Sequence, residues 1–170
     1  MINTQQLRDH VITPSLSKLN SYSKDAEELL VFTCAVESNG GEYIKQIQGP
    51  AVGIYQCEPA TYTDIWRNYI VHQSRFVSIL SMKFNVNGIP PADRLIADLE
   101  YATAICRIHY LRVKEKLPSG RDPEAMYEYY KQYYNTHLGA STKKKSIDAY
   151  KRVTEKSPYP EAIVMPNPKP

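Results

Sequence analysis

The chain has 170 residues, 42% hydrophobic and 23% charged, with a formal net charge of +3. That size predicts one domain with a real core over residues 1–156, followed by a proline-rich extended tail, 157–170. So mild a charge, without a concentrated basic face, argues against nucleic acid as a partner, and no apolar run is long enough to span a bilayer.

Few glycines and no sustained alternation of period two predict a mainly α fold. The opening MINTQQLRDHVITP has no basic start followed by an apolar stretch, so no Sec-type signal is expected. Residues 3–12 form a short helix that stops before Pro14, and Pro14 opens a second. Ser23 or Asp25 caps the next helix, which runs to about Ser38. On it Ala26, Leu29, Leu30, Thr33, Cys34 and Glu37 share one face. Val31, Phe32 and Val36 cover much of the other side, which places this helix at the centre of the fold. Asn39, Gly40 and Gly41 supply the left-handed residues that end it. Residues 42–59 lack a strong period and read as a loop or small hairpin turning at Gly49, Pro50 and Gly53.

A helix starting at Thr61 or Thr63 runs through Trp66 and Tyr69, with Trp66 in the core. Residues 74–83 form another helix. A long one spans about 93–114 and is apolar on more than one face. Asp122-Pro123 caps and opens a helix carrying Ala125, Met126, Tyr129, Tyr130 and Tyr133, mostly a core stripe. Ser141 opens the last helix, with Ile147, Tyr150 and Val153 inward and Lys143, Lys144 and Lys145 on a solvated face. The tail SPYPEAIVMPNPKP holds five prolines around one apolar island, Glu161–Met165. An extended segment of this kind either stays disordered or docks on a partner. The three cysteines, Cys34, Cys57 and Cys106, cannot all pair internally. Cys34 and Cys106 read as small core residues. His10, His72, His109 and His137 are scattered, so no metal site and no cofactor are expected.

Glu37 is the residue that needs a reason. A carboxylate at a helix C-terminus faces the negative end of the helix dipole, and its apolar neighbours desolvate it. Both effects raise its pKa, which suits a general acid. The two glycines that follow remove side chains and leave room for a polymer. Then comes Gly53-Ile54-Tyr55-Gln56, with Cys57-Glu58-Pro59-Ala60-Thr61 behind it. This segment resembles the G-L-M-Q-x-M-P-x-T stretch of lytic transglycosylases in the lysozyme-like superfamily. In that family it follows a helix ending in a Glu-Ser pair at about this spacing, here Glu37-Ser38. Tyr134-Asn135 is similar to the Tyr-Asn of the family's later A-Y-N-A-G motif. The segment 98–113 resembles the helix between the motifs. The resemblance covers about residues 10–153 and leans towards a phage-associated branch.

The resemblance implies a lysozyme-like fold in which 42–59 forms a wall of the cleft beside the catalytic helix. It implies cleavage of peptidoglycan strands between N-acetylmuramic acid and N-acetylglucosamine. Glu37 would act first as acid, then as base, and close a 1,6-anhydro ring. Ser38, Gly53, Tyr55, Gln56, Tyr134 and Asn135 would bind substrate. Gly53 would let the backbone approach the glycan, and Asn135 would hold the local turn. The sequence departs from the family at Tyr55 and Glu58, where methionine or another apolar residue is common, and at Thr136-His137, which replaces Ala-Gly. Glu58, Asp64 and Glu42 are candidates for a second acid, which would make the enzyme a hydrolytic muramidase acting as an endolysin. A third alternative is a catalytically silent structural virion protein. The expected setting is a phage virion acting at the bacterial cell wall or periplasm, with the tail offered to other virion proteins.

Overall fold

The structure is a computed structural model that describes residues 1–135 and 141–155. Thr136, His137 and the tail 157–170 lie outside the described residues. The chain is mainly helical. Its helices are α1 (Thr4–Leu7), α2 (Thr13–Lys18), α3 (Lys24–Ser38), α4 (Pro59–Asn68), α5 (Ser74–Phe84), α6 (Arg94–Ala97), α7 (Leu99–Leu111), α8 (Pro123–Tyr133) and α9 (Lys143–Glu155). A π-helical turn, Arg8–Ile12, joins α1 to α2, and a 3₁₀ turn, Ile70–His72, follows α4. Among the described residues extended pairing is limited to two isolated antiparallel bridges, Lys45 with Val52 and Val52 with Cys57.

Pro14 does not separate two helices as its sequence position suggests. The helical path runs through it, because the Thr13 N–H reaches back to the Arg8 carbonyl and widens the turn. A widened turn accommodates a residue that has no N–H to donate and whose ring crowds the preceding turn. Ser23 is the cap of α3, its hydroxyl accepting from the Ala26 N–H. α4 starts at Pro59, earlier than Thr61 or Thr63, with proline in its first turn. The predicted helix 93–114 is broken at Asp98, whose side chain accepts from the Tyr101 N–H and caps a fresh start. α9 begins after Thr142, not at Ser141, with the Thr142 hydroxyl accepting from the Lys145 N–H.

α3 packs against the π turn, α7, α8 and α9, so it is central, as its all-round apolar pattern requires. Ala26 and the run Leu29–Ala35 are buried. Two charges at its start are buried as well, which the helical pattern does not announce. Arg8 Nη1 and Nη2 pair with Glu27 Oε1 at 2.8 Å and Glu28 Oε2 at 2.7 Å, all three side chains being 5–11% exposed. Tyr22 donates to Glu27 and Tyr150 to Glu28, so this knot ties the π turn, α3 and α9 together. Trp66 lies in the core, its indole N–H donating to the Tyr101 hydroxyl at 3.0 Å. Cys34, Cys57 and Cys106 are free and buried. No helix among the described residues is long and apolar enough to cross a membrane.

Candidate active site

Glu37 sits in the last turn of α3 and is partly buried. Asn39, Gly40 and Gly41 follow at φ of 53°, 71° and 78°, the left-handed exit expected of this tripeptide. The space the glycines leave is not a ligand cleft. A Cβ on Gly41 would lie 2.7 Å from Ile2 Cδ1, and one on Gly40 would lie 3.0 Å from Val153 Cγ1. Ile2 also donates its N–H to the Gly40 carbonyl. The glycines therefore admit the N-terminal residues and α9, and the expectation of room for a polymer at this point is corrected.

One hydroxyl anchors the following loop to the end of α3. Ser38 is fully buried. Its Oγ lies 2.6 Å from the Ile54 carbonyl and 3.0 Å from that of Cys34, and it accepts the Gly41 N–H at 2.9 Å. Gly53-Ile54-Tyr55-Gln56 is the turn of a short hairpin closed by reciprocal Val52–Cys57 backbone bonds of 3.0 and 2.9 Å. Gly53 has φ of 78°, and a Cβ there would come within 2.6 Å of the Leu95 carbonyl. Its need for glycine is thus explained by a close approach to α6. Tyr55 is also enclosed, 2% exposed, with its hydroxyl 3.0 Å from Thr103 Oγ1. Ser38, Gly53 and Tyr55 shape the site from behind and are corrected as substrate contacts. Gln56, at φ of 46°, is partly buried and donates its amide to the Gly53 carbonyl at 2.8 Å. Its Oε1 accepts no bond from the described residues.

The end of α8 brings the third part of the pattern. The Tyr134 hydroxyl donates to the Tyr55 carbonyl at 2.6 Å and so grips the hairpin. One helical turn earlier, the Tyr130 hydroxyl donates to Glu37 Oε1 at 2.6 Å. Asn135 Nδ2 donates to that same hydroxyl at 2.8 Å, and Lys131 Nζ donates to Asn135 Oδ1 at 3.0 Å. Asn135 therefore does more than hold its own turn. It completes a chain from Lys131 to Glu37. Tyr130 was hidden in the stripe of core tyrosines. The available signal is its place four residues before Tyr134, one turn earlier on the same side of the helix.

Burial raises the pKa of Glu37 above the ordinary carboxylate value. The Tyr130 and Asn135 hydrogen bonds and the Lys131 charge oppose that rise. The same burial, with the neighbouring carboxylate, keeps the Tyr130 hydroxyl protonated. The candidate second acids face solvent or have partners of their own. Glu42 is exposed and bonded to Asn39 Nδ2. Glu58 is exposed at the start of α4. Asp64 takes bonds from Asn68 at 2.6 Å and Arg112 at 2.8 Å, which hold it below the usual carboxylate range. None of the three is among the groups acting on Glu37. Behind the hairpin lies a cavity of about 10 Å³, lined by Val52, Tyr55, Cys57, Cys106, His109 and Tyr134 among others. That is room for roughly one water. His109, whose Nδ1 finds no hydrogen-bond partner among the described residues, is pushed down to about 4 by burial and by Arg112.

The chain matches no family model, no curated protein and no solved structure.

Proposed function

We propose that this chain is a peptidoglycan-cleaving enzyme with a lysozyme-like fold, acting as a lytic transglycosylase through Glu37. One observation carries the reading. The three segments that resemble that family are far apart in sequence, yet they meet: Ser38 holds the Gly53–Gln56 hairpin, Tyr134 holds the same hairpin, and Tyr130 beside it holds Glu37. The raised pKa of Glu37 supports a role as general acid.

In the proposed reaction Glu37 protonates the oxygen linking N-acetylmuramic acid to N-acetylglucosamine. The C1–O bond breaks and an oxocarbenium-like muramoyl centre forms. The carboxylate then takes the proton from the muramoyl C6 hydroxyl. That oxygen bonds to C1, closing a 1,6-anhydro ring, and Glu37 is protonated again. Tyr130 and Asn135 stabilise the carboxylate between the two proton transfers. Gln56, with its free Oε1, faces the sugar N–H or hydroxyl groups. This chemistry needs one carboxylate, whereas an inverting hydrolase needs a second, roughly 6.5–9.5 Å from the first. Asp64 is already engaged by Asn68 and Arg112 and Glu42 by Asn39, which supports the transglycosylase reading over the muramidase. The setting we propose is a phage virion that opens the wall locally during genome entry, and it rests on the sequence resemblance.

The test is mass spectrometry of soluble products from purified peptidoglycan, comparing wild type with Glu37→Gln. Products ending in 1,6-anhydromuramic acid, lost in the variant, are expected. Reducing-end muramic acid would make the enzyme a muramidase. No product from a folded wild type would leave the silent virion protein as the better reading.

A further inference from the structure

Arg107, on α7, is a buried cation without a counterion. It is 7% exposed. Among the described residues it makes no ion pair, and its Nε finds no acceptor. The groups nearest to it in electrostatic effect are Tyr129 and Cys106, and burial raises the pKa of both, so neither supplies negative charge. An enclosed guanidinium presents five donors and cannot lose its charge, so it is costly to leave unpaired. The other buried arginine, Arg8, shows the usual solution, with two carboxylates against it.

Arg107 is linked through Tyr129 to a loop of net positive charge. The Tyr129 hydroxyl beside it donates to the Glu115 carbonyl at 3.2 Å, which fixes the 112–121 loop over this part of α8. That loop, RVKEKLPSGR, carries Arg112, Lys114, Lys116 and Arg121 against a single acid. Arg112 is paired with Asp64. The acid, Glu115, interacts with the Tyr133 hydroxyl. Lys114, Lys116 and Arg121 are exposed and make no ion pair among the described residues.

We propose that Arg107 and the basic 112–121 loop form a binding site for an oxyanion, a carboxylate or phosphate group carried by a ligand of this chain. Arg107 accepts the anion through its guanidinium fork, and Lys114 and Lys116 attract it at the rim. The site does not depend on the glycan reading.

The test follows the melting temperature of the full chain in rising inorganic phosphate, then in acetate, against chloride at matched ionic strength. The wild type is expected to gain roughly 2–4 °C when phosphate reaches about five times its dissociation constant. Arg107→Met is expected to lose that gain and to melt no lower than wild type without phosphate, since it removes an unpaired charge. Should Arg107→Met fail to fold, the Nε–H resonance of Arg107 in the wild type is expected to move saturably with phosphate. A response to phosphate alone assigns a phosphate group, and a response to both anions admits a carboxylate. Equal gains in wild type and Arg107→Met, or no anion effect on either melting or the Nε–H resonance, would overturn the site.

Discussion

At the scale of the residue, the geometry turns on one short hydrogen bond, from Tyr130 to Glu37. A donor to a carboxylate favours its charged form, so losing the donor raises the pKa further. Tyr130→Phe is therefore expected to shift the alkaline limb of the pH–activity profile upward. A charge-assisted bond of this kind is worth about 1.5–3 kcal/mol, which corresponds to roughly one pH unit or more. An unmoved limb would mean that the hydroxyl does not act on Glu37. His109 gives a stability test. Its folded pKa of about 4 lies below the ordinary histidine value, so the unfolded chain binds the proton first as pH falls. Stability is full above pH ~6.5 and declines towards pH ~4, by up to roughly 3 kcal/mol. Glu37 has the opposite sign, because its raised pKa lets the folded chain bind a proton before the unfolded one does. In urea titrations across this range, His109→Gln is expected to flatten the acid-side loss of stability and Glu37→Gln to steepen it. Glu37 itself was legible in the sequence, since its position and apolar neighbours are local facts. Tyr130 was not, because its hydroxyl serves a residue on another helix.

At the scale of the element, the local signals worked where a cap or turn residue acts on its own neighbours. Ser23 starts α3, and Asn39 to Gly41 end it with three left-handed residues. They failed where a break costs little and leaves the apolar pattern continuous, as at Asp98 between α6 and α7. Gly53 combines the two cases. Its turn was readable, but the backbone that crowds it belongs to Leu95. Gly53→Ala is expected to cost roughly 2 kcal/mol, from the left-handed backbone and the forced shift of α6, measured by urea denaturation. The knot around Arg8 makes a stronger prediction. Arg8→Met leaves Glu27 and Glu28 buried with only Lys24 as a cation, and is expected to cost roughly 3 kcal/mol. Protonation at low pH should narrow the gap between this variant and wild type, since Arg8 is among the groups that hold both carboxylates below their ordinary range.

At the scale of the whole molecule, α3 joins the N-terminal helices to α7, α8 and α9, so no half of the described chain has a core of its own. Unfolding followed by the fluorescence of Trp66 and by helical circular dichroism is expected to give coincident transitions. Separated midpoints would show two independent units. The amino-acid sequence alone determined the helical class, the central place of α3 and the end of that helix at Ser38, just past Glu37. Periodicity, caps and left-handed residues are properties of neighbours along the chain. Only the tertiary structure decided what fills the space over Gly40 and Gly41, which carboxylates are buried against Arg8, and which tyrosine holds Glu37. The Tyr130–Glu37 contact joins residues 93 positions apart, and the partner is chosen by packing between elements that no local pattern encodes.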